Sequence, residues 1–516
     1  DSNRSSNLSI HDVSDPARRQ VLRGGLGALA SSFLAPLSAI GGAAALTGCA
    51  SLGMGSAAKI GFKSVAISTA DAISVPEGYV AHVIAPWGDP VGIAGQNYAF
   101  KDDASNTAAE QEAQIGMHHD GIHYYALEGS KRGLLAMNHE YVDHGLLFKD
   151  GMANWSAEKV RKSQAAHGVA IVEVQDKGGK WEVVNPSKYA RRITTNTPME
   201  ISGPAAGHAM MKTAADTSGR KVLGTLNNCA SGITPWGTYL TSEENFINYF
   251  NGGDKLSDHE KRWGLKKGGG GYRWHEHDAR FDATQNPNEP NRFGWIVEID
   301  PNNPNATPMK RTAMGRGAHE GATVAVTKDN RAVVYMGEDA RFEYIYKFVS
   351  RDAIKSGGVA ANATLLDHGT LYVAKFNADG KGQWLALTHG QGPLTSINGF
   401  ADQAEVLIKS RQASDILGAT KMDRPEWIDV DKQGWVYATL TNNSNRGGDK
   451  QAAVDAANPR ANNTQGNIIR WKEDNDFHAS TFAWNHFILA GDALLARAEA
   501  KGNIKGDIFS CPDGLW

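Results

Sequence analysis

Carboxylates, amides and one thiol recur at corresponding places along this chain. Cys229 is followed by Glu243-Glu244, His319-Glu320 by Glu338-Asp339, and Arg424-Pro425-Glu426 by Asn442-Asn443. Asn138-His139-Glu140 closes an apolar run in the same manner, and Cys511-Pro512-Asp513 opens a last one. In each pair one polar group stands where a strand-like run begins and the other where the next run ends. In an antiparallel hairpin those two positions lie at the same end. Several carboxylates brought to one place repel one another unless cations compensate. Clusters of Asp, Glu and Asn oxygens suit Ca²⁺ or Mg²⁺, and a thiolate among them points to a softer ion such as iron or zinc. A single acid at a strand end is ordinarily solvated or caps a turn, so the weight rests on the repetition. Cys229 by itself is as readily a small buried apolar residue.

The runs that must carry these groups read as hairpins. Ala322–Val326 passes through Lys328-Asp329-Asn330 into Ala332–Met336, and Trp427–Val430 passes through Asp431-Lys432-Gln433-Gly434 into Trp435–Leu440. Apolar alternation with Gly, Asn and Asp turns is the hairpin signature. Gly133–Glu140 and Gly294–Pro301 read as further strands. Many hairpins and few long helical stretches predict an all-β fold, a propeller, sandwich or barrel. The pattern favours a propeller, with residues 50–516 as one domain and 254–271 and 442–466 as inserted loops or a small subdomain.

Two motifs invite a functional reading that their context does not support. His275-Glu276-His277-Asp278 resembles a metal cluster, but neighbouring strand residues point to opposite faces. Gly268–Gly271 lacks the spacing and the preceding strand of a phosphate loop and is expected to be a flexible loop.

With 53 basic and 56 acidic residues among 516, the chain carries a formal charge of -3 and gives no support to a nucleic-acid partner. Three cysteines, Cys49, Cys229 and Cys511, are too few for a disulfide-stapled scaffold. Cys229 and Cys511 could be free, paired or metal-bound. Residues 1–49 read as an address: Arg18-Arg19 precede a weakly apolar stretch rich in Ala, Gly and Ser, as in twin-arginine export signals. Leu46-Thr47-Gly48-Cys49 resembles a lipobox, where Cys49 would carry a lipid anchor. Pro36 and several glycines argue against a membrane span. The chain starts at Asp1 without Met and stops at Trp516 inside a hairpin signal, so a longer parent chain is expected.

Taken together and in order, several stretches resemble the PhoX alkaline phosphatase family. They are Met137–Tyr141, Asn228–Thr238 with Glu243-Glu244-Asn245, Glu289–Trp295, Gly317–Ala322, Tyr335–Arg341, Arg424–Glu426 and Pro512–Trp516. The resemblance implies a six-bladed β-propeller with a metal cluster at one mouth of its channel, holding ferric iron (Fe³⁺) and calcium (Ca²⁺) ions joined by an oxo group. It implies hydrolysis of phosphate monoesters to inorganic phosphate, in the periplasm or outside the cell. Residue by residue, Cys229 matches the thiolate ligand to iron, and Glu320 an iron ligand shared with calcium. Glu140, Glu243, Glu244, Glu426 and Asp513 match the carboxylates around the metals. Arg424 matches an arginine facing the substrate phosphate, and Asn138 a polar group beside it. Glu338 departs from the paired aspartates usual in the family, which leaves open whether Glu338 or Asp339 faces inward.

On this reading a metal-bound oxo or hydroxide attacks the phosphorus, and no Ser, Thr or His nucleophile is needed. The expected partners are a phosphomonoester and, during export, the twin-arginine translocase; a monomer is expected. The alternatives are a calcium-dependent propeller lactonase or phosphotriesterase, for which Cys229 has no use, and a non-catalytic exported propeller with structural calcium.

Overall fold

The computed structural model describes residues 62–66 and 68–516. The expected export segment, with Arg18, Arg19 and Cys49, lies outside the described residues. The chain divides between Ala81 and His82 into two compact units. Residues 62–81 of the first contain no helix or strand among those described. The second, His82–Trp516, holds twenty strands.

Three sheets account for all of them. The first contains β1 (His119–Glu128), β2 (Arg132–His139), β3 (Gly168–Asp176), β4 (Trp181–Val183) and β5 (Arg191–Ile193). The second contains β6 (Pro198–Ser202), β7 (Lys221–Leu223), β8 (Asn228–Ile233), β9 (Tyr239–Glu243), β10 (Ile296–Ile299) and β11 (Met309–Arg311). The third contains β12 (Thr323–Val326), β13 (Arg331–Gly337), β14 (Ile345–Ala353), β15 (Gly369–Phe376) and β16 (Lys381–Ala386). It is completed by β17 (Pro425–Val430), β18 (Trp435–Leu440), β19 (Asn467–Glu473) and β20 (Thr481–Leu489). Neighbours pair antiparallel except β6 with β11. The fold is therefore all-β, as expected from the hairpin signals.

Both hairpins read from the sequence form as β12–β13 and β17–β18. Their turns use Asn330 at φ 65° and Gly434 at φ 80°, the left-handed conformation that these residue types tolerate best. β13 is buried on both faces, and its period of two serves two cores. Val333 and Tyr335 pack with Trp471 and Phe482, whereas Val334 and Met336 pack with Phe348 and Leu371. The first strands of the successive meanders, β1, β8, β12 and β17, run side by side in that order. This adjacency brings the beginnings of four hairpins to one place.

The two segments read as insertions are poor in regular structure. Residues 442–466 contain no helix or strand, and 254–271 contain only the short helix Asp258–Arg262. Gly268–Gly271 is less free than its composition suggests, because a side chain at Gly269 or Gly270 would strike Asn248 and Phe250. Residues Trp274–Glu276 form a single 3₁₀ turn and not a strand. His275, Glu276, His277 and Asp278 still bring no common set of ligand atoms together.

Candidate metal centre and active site

The beginnings of β1, β8 and β17 share a local irregularity. The register of β1 against β2 shifts between His119 and Ile122, that of β8 against β9 between Asn228 and Ser231, and that of β17 against β18 between Pro425 and Ile428. A bulge inserts a residue and re-aims the side chain it carries. The three bulges contain Asp120, Cys229 and Glu426. Glu320 sits just before β12, where its N–H donates to Gly337 O at 3.0 Å. Glu140, Glu244 and Asp339 leave the ends of β2, β9 and β13.

These groups line one cleft of about 300 Å³, together with His118, His119, Tyr141, Asn245, Arg424 and Asp513. Four overlapping sets have ligand atoms within 4.8 Å of one another. They are Asp120 with Cys229 and Glu320; Glu140 with Cys229 and Glu244; Glu244 with Glu320 and Asp339; and Glu320 with Glu426 and Asp513. Cys229 Sγ lies 2.7 Å from Asp120 Oδ2 and 2.6 Å from Glu320 Oε1. One S–H can serve only one of those oxygens, whereas a cation serves all three donors. Glu244 Oε1 and Asp339 Oδ1 are buried without a hydrogen-bond partner, and an orphaned buried carboxylate oxygen is costly unless something positive meets it. The donor set thus fits bound cations, with a thiol-containing position for a softer ion and all-oxygen positions for harder ones.

The same crowding shifts every acid upward. Burial first, then the charges of Asp120, Asp513 and Asp339, raises Glu140 to about 8. Burial, then Asp339 and Asp513, raises Glu426 to about 10. Glu244 and Glu320 are pushed well above the usual range by burial and by their carboxylate neighbours. Burial and then Glu320 push the Cys229 thiol up as well.

Residue parity decides which acid of each adjacent pair reaches the cleft. Glu244 and Asp339 face it; Glu243 and Glu338 face the other side of their strands, as the period of two requires. Glu243 accepts from Lys310 Nζ at 2.7 Å and from the backbone N–H groups of Gly294 and Trp295 at 2.9 and 3.1 Å. Glu338 accepts from Arg411 Nε at 2.7 Å. Both are buried ion pairs behind the cleft wall and do not line it. Asn138 is also beneath the site. Its amide donates to the carbonyls of Cys229 and Ala230, and its oxygen accepts from Thr241 Oγ1 at 2.8 Å. It therefore clamps the bulge that aims Cys229. Among the described residues Cys229 and Cys511 are both free thiols, the first buried and the second exposed.

Arg424 reaches into the cleft from a left-handed conformation, φ 58°. Its Nη2 donates to Asp339 Oδ2 at 2.6 Å and lies 3.3 Å from Glu426 Oε1. Asn227, at φ 49°, ties the opposite side. Its Nδ2 donates to Glu140 O at 3.3 Å and to Tyr249 Oη at 3.2 Å, and its backbone O accepts from Glu244 N at 3.0 Å. Non-glycine residues held at positive φ cost about 1 kcal/mol or more each and cluster at functional sites. Asp120 and Asn227 were not singled out in the sequence. The available signal for Asp120 was its place opposite Asn138-His139-Glu140 across the first hairpin, where His119 pairs with His139.

The family model described as Alkaline phosphatase PhoX matches residues 60–516. The chain belongs to the PhoX alkaline phosphatase family. It is a hydrolase of phosphate esters. Among solved structures it is similar to "Pseudomonas fluorescens PhoX in complex with vanadate, a transition state analogue", with 49% sequence identity and a TM-score of 0.85. The match covers 88% of this chain and 81% of that one. A comparison with curated proteins found no match.

Two expectations separate wall from centre in this PhoX family member. Glu243→Gln leaves the Lys310 ammonium buried without its counter-charge, which costs about 3–5 kcal/mol. Denaturant unfolding should show that loss, while the folded fraction keeps its metal content; loss of metal at unchanged stability would instead make Glu243 a ligand.

The second concerns pH. An acid whose pKa is higher folded than unfolded binds more protons in the folded state, so stability falls as pH rises. For metal-stripped protein the fall runs from the ordinary glutamate value of 4.5 through about 8 for Glu140 and about 10 for Glu426. Bound cations displace those protons and reverse the slope. Calorimetry of stripped protein between about pH 5.5 and about pH 9.5 should show Tm falling by several degrees, and metal-loaded protein should not follow it. A flat profile for the stripped form would contradict the crowding of the acids.

Proposed function

We propose that the chain hydrolyses phosphate monoesters to inorganic phosphate in this cleft, using Fe³⁺ and Ca²⁺. The observation that carries the proposal is the convergence of one thiol and six carboxylates, Asp120, Glu140, Glu244, Glu320, Asp339 and Glu426, beside a guanidinium, with Asp513 at the rim. Cys229, Asp120 and Glu320 would hold the softer ion, with Glu140 and Glu244 on its other side. Glu320, Glu426, Asp339 and Asp513 would hold harder ones. Such cations supply Lewis acidity toward phosphoryl oxygens and lower the pKa of water.

The protein's own groups do the rest. Arg424 donates to the phosphoryl group from the N–H groups that its ion pairs leave free, since among the described residues only Nη2 is engaged. Its salt bridges to Asp339 and Glu426 hold the guanidinium plane in position, which favours a fixed fork over a mobile point charge. Asn138 and Asn227 hold the backbone on either side, so that the donors are set before substrate arrives. Vanadate, bound in the Pseudomonas fluorescens structure, should inhibit this chain by taking the phosphoryl position. A lactonase has no use for the thiol at the centre of the cleft.

A six-bladed propeller is part of the same proposal, supported by the side-by-side first strands β1, β8, β12 and β17. So are twin-arginine export of a single propeller domain to the periplasm, lipidation at Cys49 and a monomeric state, which rest on the sequence. No described helix is long and apolar enough to cross a membrane. Turnover of p-nitrophenyl phosphate against bis(p-nitrophenyl) phosphate and a simple lactone tests the reaction class. The monoester should be turned over fastest, with vanadate inhibiting competitively. Lactone turnover without monoester turnover would overturn the proposal.

A further inference from the structure

One wall of the cleft is aromatic and belongs to none of the candidate ligand sets. His118 and Tyr141 both line it, with ring centroids 4.0 Å apart and planes within 9° of parallel. His118 is held at φ 47°, in the left-handed region that few non-glycine residues adopt. Its carbonyl accepts from Glu140 N at 3.0 Å, so the strained residue is locked to the strand end that carries Glu140 and Tyr141. Tyr141 is covered on one face by His118, yet the residue keeps 41% of its surface exposed. A large aromatic ring presented to solvent at the edge of an acidic cleft costs free energy in the unliganded protein. The rest of the cleft is polar, with Arg424 and the carboxylates joined by Cys229, His119 and Asn245, and suits the phosphoryl group.

We propose that the Tyr141 face, backed by His118, is the leaving-group subsite and selects phosphate esters of aromatic alcohols. An aryl ring entering with its phosphoryl group toward Arg424 stacks on Tyr141 and removes its exposed face from water. Offset stacking of this kind is worth about 0.5–1.5 kcal/mol beyond the buried area, a discrimination of about two- to tenfold. The inference rests on the phosphatase reading of the same cleft.

The test is the ratio of kcat/KM for phenyl phosphate to that for glycerol 3-phosphate, measured on metal-loaded enzyme. Comparing the ratio between variants cancels the intrinsic reactivity of the two leaving groups. Tyr141→Leu should lower it about fivefold, mainly through KM for the aryl ester. Tyr141→Phe, which keeps the ring, should hold the wild-type ratio. His118→Asn, whose new side chain tolerates the left-handed backbone, should lower it by about twofold by removing the backing ring. An unchanged ratio in Tyr141→Leu and His118→Asn overturns the inference while leaving the phosphatase reading intact. Wild-type protein that turns over neither ester overturns both.

Discussion

Cys229→Ala should lose the softer metal and catalysis together, with kcat/KM for p-nitrophenyl phosphate down by about 10³-fold or more. That magnitude follows from the several kcal/mol that a Lewis-acidic centre contributes to phosphoryl transfer, at 1.36 kcal/mol per tenfold. The structural reason is that Cys229 belongs to two of the four ligand sets, with Asp120 and Glu320 on one side and Glu140 and Glu244 on the other. Stability should respond differently. Burial and Glu320 raise the thiol's pKa in the metal-free protein, so the side chain is neutral there and its truncation removes one small buried group. Cys229→Ser sharpens the experiment, since it replaces a soft donor by a hard one of nearly the same size. Elemental analysis of both variants should show the thiol-dependent metal lost and calcium largely kept. Full turnover by a variant without that metal would remove the thiol site from the mechanism.

Arg424→Ala should lower kcat/KM by about 10²–10³-fold, the range seen when a preorganised donor to a developing anion is removed. Metal content is the control, because Arg424 also partners Asp339 and Glu426. Arg424→Lys keeps the charge beside those acids but loses the planar fork, so its metal content should match wild type while turnover stays depressed by about tenfold or more. Vanadate should bind less tightly to both variants, in parallel with the loss of kcat/KM. If Arg424→Lys recovers wild-type kinetics, the residue contributes charge alone and the bidentate geometry is irrelevant.

The sequence was most informative where a polar group interrupts an apolar run at a hairpin end. Glu140, Cys229, Glu320, Glu426 and Asp513 could be placed at one mouth by that logic, and all five line the cleft. It was least informative on parity. Glu243 and Glu244 are chemically alike, and only the strand register, altered by the bulge in β8, turns one toward Lys310 and the other toward the cleft. Glu338 and Asp339 divide in the same way, and the acid facing inward is Asp339. Asn138 has a residue type suited to a substrate contact, yet the nearby carbonyl of Cys229 captures its amide. Asp120 escaped notice because a bulge breaks the alternation of β1 just where it sits. Bulges are tertiary accommodations with little local signature, and in this fold they carry three of the candidate ligands, Asp120, Cys229 and Glu426. The helices Gln403–Ile408 and Ser410–Leu417 are another such case. They pack Val406, Leu407 and Ala413 into the core beside β13 and supply Arg411 to Glu338, an arrangement that no local pattern announces.

On the proposal above, the cleft works as a mixed centre of thiol-bound and oxygen-bound metal. Elemental analysis of protein matured in its native compartment, paired with p-nitrophenyl phosphate turnover before and after chelation, tests it most directly. Iron and calcium both present in the purified protein, with activity lost on chelation and regained only when both are restored, is the predicted result. Full turnover by protein stripped of both metals, or calcium without iron in fully active enzyme, would contradict it.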